Sequence, residues 1–520
     1  MSRKKLIRRL RKYHKWPSIV LSIFTLIFAL SGIVMNHREL FSGVDVSREH
    51  LLEDYQYKNW NNAAVKSACR MSPDSILVYG NIGVWLTDSL FSDFTDFNDG
   101  FPKGIDNRKI FKIHKSKQGN LYAGTLFGMY RFDNRNRHWK FVESPFGKEQ
   151  VVDLFDRNDS LYVLTRSFLF VTKDNPGNFI FRKIMLPPPV NYDNKEGLFK
   201  TLWMIHSGEI GGFVGQLFVD LIALIFIFLT LTGLIYWLFP KWIKRRKRKE
   251  KTIQYIKSVN QFSLQWHNKI GVWVVAFLLI TTITGMFLRP PLLITIANAS
   301  VGKIPFTLLD SPNPWYDKLR RIFYDEQKER YVIGTNQGIY YLDKEFSNVL
   351  IPFSTQPPVS VMGINVFEQM PNGSYLVGSF SGLFLWDPDR RILVDYLHPN
   401  RPVNSNAGGP PIGSDLSAGL ITLNGKPVYH FDYGSGVSSA TGFRTFPDIP
   451  EEIIQKSGMS LWNLALEFHT ARYYQFMFGG LYILFIPLYG LTMILILVTG
   501  FWVWWKVWRK KKRTPYLESK

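Results

Sequence analysis

The chain has 520 residues and a formal charge of +22, from 63 Lys and Arg against 41 Asp and Glu. Aromatic residues make up 16% of it and long apolar runs recur, which excludes both a disordered chain and an ordinary soluble enzyme. The single cysteine, Cys69, excludes a disulfide framework and any cysteine-based zinc or iron–sulfur centre.

In chain order, residues 1–15 read as a basic tail and 16–37 as a first membrane span. Residues 38–200 read as the first half of a β domain, and 201–240 as a second span with an extension ahead of it. A basic loop follows over 241–266, then a third span over 267–289. Residues 290–460 read as the second half of the β domain, 461–505 as a fourth span with an extension, and 506–520 as a second basic tail. Each apolar run can cross about 30 Å of hydrocarbon at 1.5 Å per residue. The basic-then-apolar start also fits a cleaved signal peptide. The run is long for one, however, and its residues recur in the third span.

Charge sets the orientation. Residues 1–15, 240–269 and 506–520 hold 25 of the 63 Lys and Arg but only two acids, Glu250 and Glu518. The remainder of the chain is close to neutral. The excess positive charge therefore lies on one side, which by the positive-inside rule is the cytoplasm. Both termini are then cytoplasmic and both β segments periplasmic. The basic runs abut spans, so the expected partner is membrane lipid and not nucleic acid.

A short pattern recurs in the two exported segments: glycine, a few variable residues, glycine, then an apolar strand ending in Asp. It runs over Gly80–Asp88, Gly124–Asp133, Gly334–Asp343 and Gly378–Asp387, with a degenerate copy from Ser160 to Asp174. The spacing within a segment is about 40–45 residues, the period of a four-stranded propeller blade. The glycine turn joins two adjacent strands of a blade. Three blades are expected in the first segment and two or three in the second. One β-propeller built from both segments avoids open strand edges. The closing aspartates, such as Asp343 and Asp387, read as turn formers.

The spans repeat as well. His14 stands 18 residues before Gly32, and His267 18 residues before Gly285. His206 precedes Gly233 by 27 residues and His469 precedes Gly500 by 31. Ser31, Thr284, Thr232 and Thr499 directly precede these glycines. The chain is thus a duplicated unit of span, β segment, span. Five of the ten histidines lie at span ends: His14 and His267 on the cytoplasmic side, His206, His469 and His37 on the other. Imidazoles on facing helices of a bundle are the usual protein contribution to bis-His haem b ligation, so these five are axial candidates for one or two haems. Gly32, Gly285, Gly233 and Gly500 would let a flat macrocycle approach the backbone. Trp203, Trp266, Trp462, Tyr473 and Tyr474 offer packing surface. Each histidine taken singly also fits an interfacial anchor. On straight helices His206 and His469 would project beyond the bilayer, so axial pairs stay unassigned.

At these residues the sequence resembles the PepSY-associated transmembrane family, which includes bacterial inner-membrane ferric-siderophore reductases. The matching motifs are His14-Lys15-Trp16 with Ser31-Gly32, Asn36-His37-Arg38, and His206-Ser207-Gly208-Glu209 with Thr232-Gly233, together with their second-half copies. The resemblance implies a four-helix core in the inner membrane, haem b, and electron transfer to ferric complexes outside. The propeller-like insertions depart from the family's usual small exported domains. No Rossmann glycine motif is present, so electrons would come from a quinol or a cytoplasmic partner. The expected fold is an integral membrane helical protein with four duplicated spans and an all-β periplasmic propeller. The expected function is a b-type haem oxidoreductase serving a periplasmic acceptor such as a ferric chelate or siderophore. The alternative is a non-catalytic anchored propeller acting as sensor, scaffold or transporter accessory.

Overall fold

The computed structural model describes residues 2–346, 349–360, 362–404, 413–440, 442 and 445–507, so most of the 506–520 tail lies outside the described residues. Two compact units form. Residues 1–41, 194–311 and 462–520 make a helical unit, and residues 42–193 and 312–461 make a β unit.

In the helical unit, α1 (Arg3–Asn36) starts at Ser2, whose hydroxyl accepts from the Lys5 amide. It is followed by α2 (Leu198–Ser207), α3 (Gly212–Lys247), α4 (Gln254–Trp273), α5 (Val275–Phe287), α6 (Leu461–His469) and α7 (Phe485–Val507). Three stretches are long and apolar enough to cross a membrane: Arg3–Asn36, Glu209–Lys247 and Arg472–Val507. Their polar hydroxyls turn inward on their own backbone, as where Thr25 donates to the Leu21 carbonyl at 3.0 Å. This leaves a surface that lipid tolerates.

The third span departs from expectation. In place of one straight helix over 267–289 there are α4 and α5, bent by 67° at their junction. Three β-branched residues, Val272, Val274 and Val275, crowd that point and weaken helix propagation. The basic stretch 241–266 is also largely helix and not loop, because α3 runs on to Lys247 and α4 begins at Gln254. Lys and Arg are good helix formers, and four of them close α3 where the helix dipole favours cations.

The extensions ahead of the second and fourth spans are separate short helices. Gly208, with φ of 82°, ends α2 in a left-handed turn before α3 starts at Gly212. A Cβ at Gly208 would lie 2.2 Å from the Gly215 carbonyl oxygen. The second copy makes the same turn at Ala471, with φ of 60°. These breaks remove the register difficulty, because His206 and His469 end helices of their own.

The β unit holds six antiparallel meander sheets among the described residues, five of four strands and one of three. They cover residues 67–96, 110–141, 151–184, 319–352, 366–395 and 417–439. The repeated glycine pattern is the hairpin between the second and third strands, as in the pairs Gly80–Gly83, Thr125–Gly128 and Ser379–Gly382. Asp88, Asp133, Asp343 and Asp387 accept from backbone amides two or three residues on, which makes them turn formers. Each sheet packs on the next through a buried apolar cluster. The sixth also packs on the first, where Ile421, Tyr429 and Phe431 meet Ile76, Val78 and Trp85. A two-residue ladder, Asp45–Val46 with Met459–Ser460, ties the first segment's beginning to the second segment's end.

Gly436 sits where the sixth sheet meets the first segment, with φ of 86° and room for no side chain: a Cβ would lie 1.8 Å from the Asn59 carbonyl oxygen. We expect Gly436→Ala to destabilise the β unit by roughly 1–3 kcal/mol, read as a lower urea midpoint. Gly177→Ala, where the nearest atom stands 3.6 Å away, should leave the midpoint unchanged.

Candidate functional site

The helical unit brings four of the five candidate histidines together as two pairs. The rings of His14 on α1 and His267 on α4 have centroids 6.1 Å apart. Those of His206 on α2 and His469 on α6 are 6.0 Å apart. The pairs are well separated along the bundle. His469 docks on Phe28 of α1, fourteen residues beyond His14, which is roughly 20 Å along a helix.

All four imidazoles are held in the same way. His14 Nδ1 lies 2.9 Å from the Ile496 carbonyl oxygen, and His267 Nδ1 lies 3.1 Å from that of Leu229. His206 Nδ1 lies 3.0 Å from the Thr281 carbonyl oxygen, and His469 Nδ1 lies 3.0 Å from that of Phe28. A carbonyl oxygen can only accept, so Nδ1 carries the proton and donates in each case. Nε2 is thereby the nitrogen with the free lone pair.

Each accepting carbonyl belongs to the residue four before one of the duplicated glycines. The imidazole edge lies directly over that glycine. A Cβ at Gly32 would meet His469 Cε1 at 3.3 Å, and one at Gly233 would meet His267 Cε1 at 3.3 Å. At Gly285 the distance to His206 Cε1 would be 2.7 Å, and at Gly500 the distance to His14 Cε1 would be 2.8 Å. The residue before each glycine completes the seat. Ser31, Thr232, Thr284 and Thr499 are buried, and each hydroxyl donates to the carbonyl four residues back. For Ser31, Thr232 and Thr284 the hydroxyl oxygen also lies 3.0–3.2 Å from the imidazole Nδ1. The Ser/Thr-Gly step is therefore an imidazole seat, built four times.

Among the described residues, no group of three or more His, Cys, Asp or Glu side chains could hold a metal ion. Each pair offers two neutral nitrogen donors and nothing further. That is too few for a structural zinc site, which takes four protein ligands. It suits a group that brings most of its own coordination.

The sequence matches the PepSY-associated TM region twice, over residues 1–239 and 190–506. The chain belongs to this family. The two matches cover the two halves of the duplication, and the overlap at 190–239 contains α2 and most of α3. No curated protein matches the chain. Among solved structures it is similar to the extracellular domain of the hybrid two component system BT4673 from B. thetaiotaomicron, at 11% identity and TM-score 0.35, over 72% of this chain and 32% of that one. The corresponding domain of BT3049 from the same organism gives 10% identity and TM-score 0.34, over 74% and 39%. PorZ of Porphyromonas gingivalis, a surface component of the type-IX secretion system, gives 11% and 0.31, over 71% and 37%. The chain spans about a third of the length of the first of these. At such TM-scores the likenesses carry no weight for fold or activity.

The fifth candidate, His37, joins neither pair of this PepSY-associated unit. Its Nε2 lies 2.6 Å from Asp220 Oδ2 on α3, and Asn36 Nδ2 donates to Asp220 Oδ1 at 2.9 Å and to the Ser207 carbonyl at 3.2 Å. A buried carboxylate in an apolar helix draws its partners to itself. Asp220 is a buried partner that the histidine spacing does not indicate, and its signal in the sequence is being the one acid in the run 213–239. The four glycines do not form a bare wall for a macrocycle, since each is covered by an imidazole. The aromatic candidates have separate partners. Trp462 lies under the Arg38 guanidinium, Tyr473 stacks on Phe468, and Trp266 packs on Phe262.

The β unit holds a cavity of its own of about 560 Å³, lined by Cys69, Lys112, His114, Lys115, Phe323 and Glu368 among others. Burial acts against the Lys112 charge, but Asp153 and Tyr79 more than offset it and its pKa stands above that of an ordinary lysine. Burial pushes the Glu368 carboxyl up, although Thr422, Lys112 and Arg321 pull the other way. The cavity charges thus largely answer one another.

The seat geometry gives a ranking. Gly285→Ala and Gly500→Ala place a methyl group under 3 Å from an imidazole, whereas Gly32→Ala and Gly233→Ala leave 3.3 Å. We expect the first two to destabilise the detergent-solubilised protein by roughly 1–3 kcal/mol each, read as a clearly lower thermal midpoint, and the second two to lower the midpoint less.

Proposed function

We propose that the chain is a b-type haem protein of the bacterial inner membrane that passes electrons across the bilayer to a periplasmic acceptor, a ferric chelate or siderophore. One observation carries the reading: two His–His pairs, each ring fixed by an Nδ1 donation that leaves Nε2 as the ligand nitrogen. Haem fits such a site, because its macrocycle supplies four nitrogens and needs only two axial ligands from the protein. His14 with His267 would hold one haem b and His206 with His469 a second. When bound, the haem iron supplies one-electron redox chemistry at physiological potentials. The carbonyls of Ile496, Leu229, Thr281 and Phe28 orient the rings and raise their basicity as ligands. The apolar helices keep water from the pairs.

The topology is read the same way. Both β segments belong to one compact unit, so they lie on one side of the membrane. The chain between them must then cross an even number of times. Helix α3 crosses once, so the reading takes the bent pair α4 and α5 as the returning span, third of four along the chain. The basic ends of α1 and α3 favour a cytoplasmic side for the His14 and His267 pair. A quinol or a cytoplasmic partner would donate there. The six sheets, packed in sequence and from sixth to first, support a closed six-bladed periplasmic propeller.

The test is a reduced-minus-oxidised absorption spectrum of the detergent-purified full chain from haem-replete cells, with haem and protein quantified together. We expect about two haems b per chain. Replacing His206 and His469 together with Ala should leave one, as should replacing His14 and His267. His37→Ala should leave both. A flat wild-type spectrum would overturn the reading and leave an anchored propeller acting in binding or scaffolding.

A further inference from the structure

The surroundings of the His206 and His469 pair are unequal in charge. Arg472 stands three residues after His469, and Arg289 four residues after Gly285, on which His206 is seated. Arg472 pairs with the buried Glu467, but its Nε is buried with no hydrogen-bond partner. The Arg289 guanidinium is half-buried and makes no hydrogen bond or ion pair with the described residues. Arg472, Tyr482 and Glu467 are close enough to act on it electrostatically. Two guanidinium groups therefore stand near a single carboxylate, Glu467, which pairs with Arg472 alone. Like charges brought together at partial burial repel unless an anion joins them. Next to His206, at the Ser207 carbonyl, the character is opposite, since Asn36 bonds that carbonyl and converges with His37 on the Asp220 carboxylate.

We infer that Arg289 and Arg472 form a carboxylate-binding pair that takes the two propionates of the haem held by His206 and His469, and so fixes which way round that haem lies. This rests on the haem reading above. Arginine suits the role because its planar fork binds carboxylates bidentately and keeps its charge. The unpartnered Arg472 Nε and the whole Arg289 head supply free donors. Asp220, which pairs with His37 and Asn36, would repel a propionate edge turned toward it. The two cations would also disfavour the more positive ferric state and raise the potential of this haem relative to a site without them.

The experiment uses the full chain in detergent with Arg289→Gln and Arg472→Gln combined, and with Arg289→Lys and Arg472→Lys as the charge-retaining control. Haem per protein and a spectroelectrochemical redox titration are the readouts. The expected result is loss of about half the haem, or a lowered midpoint for one of two titrating components. The component assigned to His14 and His267 should be unchanged, which shows that the protein is folded. The Lys variant should recover haem content in part. Two haems with unchanged midpoints in the Gln variant would overturn the inference while the haem reading stands. So would unchanged haem with weakened citrate binding, since the pair would then serve a free carboxylate. A wild-type protein without haem would remove the parent reading and this one with it.

Discussion

The helical unit depends on one small interaction made four times, an imidazole Nδ1–H donating to a helix carbonyl four residues before a glycine. A carbonyl inside a helix is normally engaged by the amide one turn on and shielded by the side chain there. Glycine at that later position removes the shield. The preceding Ser or Thr fills the rim with a hydroxyl whose proton is already committed to the helix. The ring can then approach to van der Waals contact with the glycine backbone. Its tautomer is settled without any charged partner, which matters in a medium where an unpaired charge is costly. The same contact binds helices together, because seat and ring come from different segments: α1 on α7, α4 on α3, α2 on α5 and α6 on α1.

That constraint explains the interruptions in the helices. A histidine at the end of a straight second or fourth span would reach too far to sit on its seat. The left-handed turns at Gly208 and Ala471 let α2 and α6 run as separate pieces that lie against α5 and α1. Glycine is obligatory at the first turn, because the Gly215 carbonyl occupies the space of a side chain. The second turn tolerates Ala at the cost of a left-handed conformation that non-glycine residues adopt with difficulty. The duplication thus preserved the bend while its chemistry drifted.

Much of this was legible in the residues. The histidine and Ser/Thr-Gly spacings announce the duplication, and the glycine pattern ending in Asp locates the hairpins of the β unit. What spacing could not give was which histidine meets which glycine. That depends on helix neighbours in space, and the seat for His14 lies almost five hundred residues along the chain at Gly500. The contact of each glycine with an imidazole was not legible either, since flatness beside a macrocycle and contact with an imidazole leave the same trace in a sequence. His37 was grouped with the other four by its place at a helix end. Its partner Asp220 stands on another helix, and only the fold brings the two within 2.6 Å. The bend at Val274 was hidden because hydropathy is blind to direction: the run from Ile270 to Leu288 is continuously apolar across it.

The two halves are not equivalent where they meet the second pair. The positions that carry Arg289 and Arg472 in the second half carry Asn36 and Glu209 in the first. An exact repeat would have surrounded the His206 and His469 pair with matching flanks and given no preference for either orientation of a ligand between them. Divergence put two arginines at these positions, while the Asp220 carboxylate is held by Asn36 and His37. Seats that stayed alike, beside neighbours that became unlike in charge, separate two tasks. The seats hold the rings in a fixed tautomer, which any ligand of two imidazoles would require. Neighbours of unlike charge would distinguish one edge of such a ligand from the other, which matters only if its edges differ in charge. A macrocycle with two carboxylates on one edge and none on the opposite edge has this asymmetry.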